Sequence, residues 1–188
     1  MARFYLIHGF NERGEGKDTV GRLREGLEKL GHSVKMIRYG WVHRIRVRLC
    51  NKCLAKSIAS TVKAGSHVIA FSNGAALTYY AIKEGAPFDR VFLVNPALNA
   101  RLAIPRVRQV DVFYSPSDPW TKIARFIPYS IWGRQGAVGY KGKDEEGRYT
   151  QVNLDELVGE ETKHGGVFRT EKGRHRIIQA IQKSLNKE

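Results

Sequence analysis

The ten residues VIAFSNGAAL, from Val68 to Leu77, decide the fold. An apolar run ends at Phe71, the polar Ser72 follows, and small residues then begin a helical pattern at once. A strand that turns this sharply into a helix requires small residues where the two cross, and it strains the residue between them. The turn also pushes the Ser72 hydroxyl outwards, beside the positive end of the helix dipole. This stretch therefore predicts a strand, a presented serine and a helix in direct succession.

The segments around it predict an α/β fold: a doubly wound, mostly parallel sheet of about six strands with helices on both faces. The strand candidates are continuous apolar runs, as strands covered on both faces require, and helical spacing recurs between them. We expect a single domain over residues 1–188. The predicted strands are 3–7, 33–39, 67–71, 90–94 and 110–114, with a further strand or a hairpin within 137–154; the predicted helices are 20–30, 41–63, 74–84, 119–133 and 173–185.

Composition and charge bound the class of protein. The 188 residues are 42% hydrophobic and 27% charged, as in an ordinary globular domain. Lys and Arg number 32 against 18 Asp and Glu, which gives a net charge of +14. A field of this sign attracts anions, so an anionic surface or polymer is a candidate partner. Two basic clusters would face it: the i,i+4 row Arg44, Arg48, Lys52 and Lys56, and the group Arg101, Arg106 and Arg108.

The sequence offers little sign of a membrane span or a metal site. No apolar run approaches the roughly 18 residues of a span, and the N-terminus lacks the pattern of a secretion signal, so we expect a cytoplasmic location. Cys50 and Cys53 form one C-x-x-C in a predicted helix, with only His43 nearby. Because a structural zinc site needs four ligands, we expect buried or half-buried thiols, no metal and no cofactor.

The segment Ala70-Phe71-Ser72-Asn73-Gly74 resembles the nucleophile elbow, G-x-S-x-G, of the α/β-hydrolase family, with an alanine in place of the first glycine. The resemblance is to a small, cap-less, esterase-like member and extends from YLIHGF to the last helix. In that family the residue after HG supplies one backbone N–H of the oxyanion hole. The resemblance thus implies that Phe10 and Asn73 form the hole, where strands one and three meet at their carboxyl ends.

The same resemblance implies a catalytic triad, because the family order of serine, acid and histidine is met by Ser72, Asp118 and His164. Asp118 lies in FYSPSDPW after the fifth strand, and His164 lies in KHGGVF before the last helix. Imidazole is the side chain whose ordinary pKa suits it to take the serine proton near neutral pH. His164 would return that proton to the leaving group, while Asp118 fixes its tautomer and stabilises the imidazolium.

Each residue also has a simpler interpretation. Ser72 could cap the following helix, and Asp118 could form a turn before Pro119. Asp111, Asp144 and Asp155 are weaker candidates for the acid, and His175 is the rival histidine. A further set of side chains could line a substrate pocket, although core packing explains aromatic residues equally well. That set is His8, Trp120, Phe126 and Trp132.

The resemblance implies a serine hydrolase, above all a carboxylesterase that cleaves a small or medium acyl ester through an acyl-enzyme. A thioesterase, peptidase or acyltransferase would use the same groups. Two alternatives come from other classes. One is a non-catalytic binding protein on the same scaffold, since fold does not imply activity. The other is a basic protein that associates with a polyanion or acidic membrane, with an affinity that falls steeply as salt rises.

Overall fold

The computed structural model describes residues 1–10, 12, 14–40, 44–124 and 131–186, and for residues 44–50 it describes the main chain alone. The predicted pocket residue Phe126 and the side chains of Arg44 and Arg48 lie outside this description. The other two members of the predicted basic row, Lys52 and Lys56, are exposed. Within the described ranges, no helix has the length and apolar character that crossing a membrane requires.

Six strands form one sheet in which every pairing is parallel. Their spatial order is β2-β1-β3-β4-β5-β6. The chain therefore winds outwards from β1 in one direction and then from β3 in the other, which confirms the predicted doubly wound sheet and opens a crevice at the carboxyl ends of β1 and β3. The strands are β1 (Arg3–Ile7), β2 (Ser33–Ile37), β3 (Ser66–Phe71), β4 (Phe88–Val94), β5 (Gln109–Tyr114) and β6 (Tyr149–Asn153).

Helices cover both faces of the sheet, and alternate side chains of each strand point to opposite faces. In β1, Tyr5 and Ile7 pack towards one layer of helices, whereas Phe4 and Leu6 pack towards the other. Successive side chains of a strand point to opposite faces, so a strand covered twice must be apolar throughout. The first layer is α2 (Arg44–Thr61) and α3 (Asn73–Lys83); the second is α1 (Arg24–Lys29), α6 (Leu154–Val158) and α7 (Glu171–Leu185), with a 3-10 turn at Val20–Leu23.

The segment after β5 differs most from expectation. The alternatives were a further strand or a hairpin, and the chain forms the single strand β6, parallel to β5. It is preceded by α4 (Pro119–Ala124) and α5 (Gln135–Val138), both short. Helix α6 was not predicted; it follows β6 directly, and the Asn153 side chain accepts a hydrogen bond from the backbone N–H of Asp155 at its start. A capping asparagine thus turns the strand into a helix without a loop.

The buried face of α2 also needs a correction. Cys53 was predicted to be a buried or half-buried thiol, but it is exposed and forms no disulfide. Seven residues are about two helical turns, so Asn51 lies in line with Ile58, whereas Cys53, five residues before Ile58, lies towards the opposite side. Asn51 is buried to 4% exposure, and Ala55, Ile58 and Val62 continue the same stripe.

Candidate active site

The turn between β3 and α3 holds Ser72 in a strained backbone conformation, with φ 53° and ψ −119°. Non-glycine residues rarely adopt a positive φ, and they keep it only where the surroundings enforce it. Here the Ser72 N–H donates to the carbonyl of Val94, and its carbonyl accepts from the N–H groups of Ala75 and Ala97, each at 3.1 Å. The Ser72 side chain does not cap α3. The simpler interpretation of this serine as a helix cap is therefore wrong.

Two glycines let β1 and α3 approach each other at this turn. A methyl group on Gly74 would lie 2.5 Å from the carbonyl oxygen of Ile7 and 2.7 Å from that of His8. On the other side, a methyl group on Gly9 would lie 3.2 Å from Cβ of Ser72. The loop after β1 thus contacts the serine directly, which explains why small residues surround it.

The serine, the histidine and the aspartate predicted from the motif order meet at this edge of the sheet. His164 Nε2 lies 3.0 Å from Ser72 Oγ, and His164 Nδ1 lies 2.8 Å from Asp118 Oδ2. Since a carboxylate only accepts hydrogen bonds, Nδ1–H donates to Asp118, and Nε2 is left to accept the serine proton. Asp118 is fully buried, while the His164 side chain is 19% exposed. A hydroxyl, an imidazole and a carboxylate are thus linked in series.

Asp118 has a second task, which its other oxygen performs. Oδ1 accepts hydrogen bonds from the backbone N–H groups of Trp120 (2.9 Å) and Thr121 (3.2 Å). With Pro119 as the first residue of α4, this is the arrangement of a capped helix start. The structural and the functional interpretations of this aspartate therefore coexist, one on each oxygen.

The rival residues lie elsewhere. Asp111 accepts from the Ser184 hydroxyl, and Asp144 from the backbone N–H groups of Arg148 and Tyr149. His175 is exposed on α7. Among the residues that the structure describes, Asp118 is the carboxylate within hydrogen-bonding distance of His164.

Asp155 connects the loops that carry Asp118 and His164. It accepts hydrogen bonds from the Ser115 hydroxyl, from the N–H and hydroxyl of Ser117, and from the N–H and hydroxyl of Thr162, at 2.8–3.1 Å. Burial acts to raise the pKa of Asp155, but these donors outweigh it and hold the pKa below its ordinary value. Asp155 was considered only as a substitute for Asp118. No local motif marks its position, because its partners are distant in the sequence.

Two side chains fix the HGF turn after β1. The Gly9 N–H donates to the Glu12 carboxylate at 2.8 Å, and the Tyr39 hydroxyl lies 2.7 Å from the carbonyl oxygens of both His8 and Gly9. Burial raises the pKa of Tyr39 well above its ordinary value, so its hydroxyl remains a donor. Within the described residues, the backbone N–H of Phe10 has no hydrogen-bond acceptor. The prediction that Phe10 serves the oxyanion hole requires such a free donor.

Asn73, the other predicted donor, begins α3 and is anchored through its side chain. Its amide exchanges hydrogen bonds with the Asn51 amide at 3.1 and 3.2 Å, and its oxygen accepts from Trp132 Nε1 at 2.9 Å. The side chain is therefore fully engaged, while its backbone N–H has no acceptor among the described residues. Asn51 was missed, although the i,i+4 spacing to the apolar Ala55 places this polar residue on the buried face of α2.

The predicted pocket residues occupy different places. His8 is 1% exposed and stacks on Tyr39 with ring centroids 4.0 Å apart. The prediction of His8 as a pocket residue is therefore corrected, because the buried ring supports the turn instead. The same burial lowers the pKa of the His8 imidazole. Trp120 is 66% exposed and borders, together with His164, a cleft of about 390 Å³. Trp132 borders a second cleft on the side of Asn73.

Comparison with known proteins identifies the fold. Neither a protein-family model nor a curated protein matches the sequence. Solved structures do match. An extracellular α/β-hydrolase from a Paenibacillus species is 13% identical with a TM-score of 0.57, and the match covers 96% of this chain and 99% of that one. A pyrethroid hydrolase from Sphingobium faniae is 12% identical with a TM-score of 0.61, and the match covers 98% of each chain. The esterase domain of a Rhodothermus marinus protein is 11% identical with a TM-score of 0.56, and the match covers 98% of this chain and 85% of that one. The chain therefore has the α/β-hydrolase fold, as its motifs predicted.

Proposed function

We propose that this α/β-hydrolase fold carries a serine hydrolase, specifically a carboxylesterase that cleaves a small or medium acyl ester through an acyl-enzyme on Ser72. One observation carries the proposal: the series from Asp118 Oδ2 to His164 Nδ1 at 2.8 Å, and from His164 Nε2 to Ser72 Oγ at 3.0 Å. These distances lie within the reach that proton transfer requires. The strained turn at Ser72 adds support, since such outliers cluster at active sites.

In the acylation step, Ser72 Oγ attacks the ester carbonyl carbon while its proton passes to His164 Nε2. The carbonyl oxygen becomes an oxyanion, which accepts hydrogen bonds from the backbone N–H groups of Phe10 and Asn73. His164 then donates the proton to the leaving alkoxide as the ester C–O bond breaks. Asp118 remains ionised throughout and stabilises the transient imidazolium.

Deacylation repeats the sequence with water. His164 Nε2 takes a proton from the attacking water, the oxyanion forms again between the same two N–H groups, and the proton returns to Ser72 Oγ as the acid leaves. Two of the similar structures support an ester substrate by their names. One is an esterase domain, and the other is a pyrethroid hydrolase.

Covalent labelling with a fluorophosphonate, read out by mass spectrometry of the peptides, tests the nucleophile. The reagent is expected to modify Ser72, to leave the Ser72→Ala variant unmodified and to react much more slowly with His164→Ala. Circular dichroism of each variant provides the control for folding. Absence of an adduct on the folded wild-type protein would rule out the proposed nucleophile and favour a binding protein on this scaffold.

A substrate panel tests the ester specificity. Nitrophenyl esters of increasing chain length should be hydrolysed with the highest kcat/KM at a short or medium chain. The corresponding thioester and anilide report thioesterase and peptidase activity. A higher kcat/KM for either of these than for the ester would keep the serine mechanism but replace the proposed substrate class.

A further inference from the structure

A second cleft lies beside Trp132, away from the His164 side of the active site. Its volume is about 540 Å³, which is within the usual range for small-molecule sites. It is built from the connection between β4 and β5 and from the segment around α5. Its lining residues are Asn99, Ala100, Arg101, Trp132, Gly133, Arg134, Val138 and Lys141.

The walls of this cleft are fixed by main-chain hydrogen bonds between the two segments. The N–H of Asn99 donates to the carbonyl oxygen of Ile131, and the N–H of Lys141 donates to the carbonyl oxygen of Ala100, each at 2.7 Å. Gly133 packs so closely that an added methyl group would lie 2.7 Å from Cα of Asn99. The cleft is therefore a preformed feature of the fold rather than a gap between loose loops.

The charge of the cleft is one-sided. Arg101, Arg134 and Lys141 belong to its lining, and no acidic residue of the described chain does. None of these three side chains makes an ion pair or a hydrogen bond with another described residue. All three residues are exposed, and their positive charges attract an anion that enters the cleft.

The acidic residues that follow in the sequence are engaged elsewhere. Asp144 accepts the backbone N–H groups of Arg148 and Tyr149. Glu145 pairs with Lys143, and Glu146 pairs with Arg148. These contacts of the turn KDEEGR do not include the three cations of the cleft.

Trp132 joins this cleft to the active site. Its indole N–H donates to the Asn73 side chain at 2.9 Å, and its ring stacks on Phe10 with centroids 5.5 Å apart. Phe10 and Asn73 are the residues whose backbone N–H groups would form the oxyanion hole. The same indole thus borders the cationic cleft and contacts both residues of the hole.

We propose that this cleft is a substrate subsite that binds an anionic group, a carboxylate or a phosphate, carried by the ester that Ser72 cleaves. The inference rests on the proposed function and narrows its substrate to anionic esters. Guanidinium groups suit such oxyanions because their planar N–H donors match two oxygens at once, and Lys141 adds a point charge.

Two pairs of esters test the proposal, one for each side of the ester bond. The first pair is the 4-nitrophenyl monoester of octanedioic acid and the neutral 4-nitrophenyl octanoate. The second is 4-acetoxybenzoate and the neutral 4-acetoxybenzamide. The wild-type enzyme is expected to prefer the anionic member of at least one pair in kcat/KM. In the variant Arg101→Gln/Arg134→Gln/Lys141→Gln, that kcat/KM should fall about 10- to 100-fold, with the neutral member changed by less than about twofold.

A matched control removes the same number of positive charges from the exposed face and end of α2: Lys52→Gln/Lys56→Gln/Lys63→Gln. It should retain the preference for the anionic ester. The proposal is overturned if the wild-type enzyme prefers neither anionic ester, if the cleft variant keeps the preference, or if the α2 control loses it equally.

A binding measurement separates this inference from the proposed function. Isothermal titration of the Ser72→Ala variant with octanedioate should detect binding that disappears when the cleft substitutions are added. If octanedioate binds but the wild-type Ser72 is not labelled by the fluorophosphonate, the anion site is supported and the hydrolase proposal is rejected. Labelling without any binding or any anionic preference would retain the hydrolase and reject the anion site.

Discussion

The two oxygens of the Asp118 carboxylate have separate partners, and substitutions can separate their effects. Asp118→Asn keeps an oxygen to cap α4 but presents an uncharged amide to His164, which favours the wrong imidazole tautomer. We expect kcat to fall about 10³- to 10⁴-fold. The free energy of unfolding should change by less than about 1 kcal/mol, because the cap remains. Steady-state kinetics and urea denaturation measure the two quantities.

Asp118→Ala serves as the control, because it removes the cap as well. It should lose similar activity and a further ~1 kcal/mol of stability. If Asp118→Asn were nearly as active as the wild-type protein, the aspartate would be a turn residue only, and the catalytic interpretation would fail.

Gly74 tests the close approach of α3 to β1. In Gly74→Ala, the new methyl group would lie 2.5 Å from the carbonyl oxygen of Ile7, so the start of the helix must shift. We expect a loss of roughly 1–3 kcal/mol in unfolding free energy, together with reduced labelling of Ser72. Gly166→Ala is the matched control, since a methyl group there meets nothing within 4 Å. Equal stability of the two variants would contradict the packing described at this turn.

Residues that belong to a local motif could be predicted, and residues held only by tertiary contacts could not. Ser72, Asp118 and His164 each lie in a recognisable turn, and their order along the chain suggested that they meet. Asp155 and Asn51 carry no such signal, because their partners Thr162 and Asn73 are brought to them by the fold. His8 was predicted as a pocket residue because its stacking on Tyr39, which is distant in the sequence, is made only by the fold.

Helix α6 contributes to the geometry of the site through Asp155 in its first turn. Asp155→Asn should loosen the loops that carry Asp118 and His164. We expect about 1–3 kcal/mol of lost stability at neutral pH and a lower kcat. Because its folded pKa lies below the ordinary value of 3.8, the stabilisation by Asp155 is complete above that value and declines as the pH falls through the folded pKa.

The pH dependence provides the measurement for this element. The difference in unfolding free energy between the wild-type protein and Asp155→Asn should be constant from pH 7 to about pH 5 and should shrink below about pH 4. Glu156→Gln, one residue along the same helix, should show a much smaller difference. A gap between the Asp155 variant and the wild-type protein that persists unchanged at low pH would exclude the carboxylate as the source.

The elements show where periodicity is informative. The five apolar strands were predicted close to their observed bounds, because a strand that is buried on both faces must be a continuous apolar run. The edge strand β6 is only half-buried, so its apolar signal is weak and a hairpin remained an alternative. In α2, buried Asn51 and exposed Cys53 invert the usual preferences of these residue types, so the prediction of a buried or half-buried Cys53 was wrong.

At the scale of the whole molecule, the net charge of +14 should favour encounter with anionic esters over neutral ones. We expect kcat/KM for the anionic ester to fall several-fold between about 50 and 500 mM NaCl, because salt screens this field. The matched neutral ester reports any general effect of salt on the enzyme. Identical salt dependence for both esters would show that the net charge plays no part in substrate encounter.

The parallel sheet with helices on both faces could be predicted because continuous apolar strands alternate with helical segments. The meeting of β1 and β3 at their carboxyl ends came from the family resemblance. The two clefts did not follow from the sequence. The cleft beside His164 lies between the start of α4 and the segment 158–170. The cleft beside Trp132 lies between the β4–β5 connection and the segment around α5, which main-chain bonds between distant residues hold together, such as that of Asn99 with Ile131.

The most direct test of the central claim is a crystal structure of the protein after reaction with a fluorophosphonate. A bond should join phosphorus to Ser72 Oγ, with the phosphonyl oxygen about 2.7–3.1 Å from the backbone nitrogens of Phe10 and Asn73 and with His164 Nε2 beside Oγ. An adduct on another residue, or a phosphonyl oxygen directed away from those two N–H groups, would contradict the account.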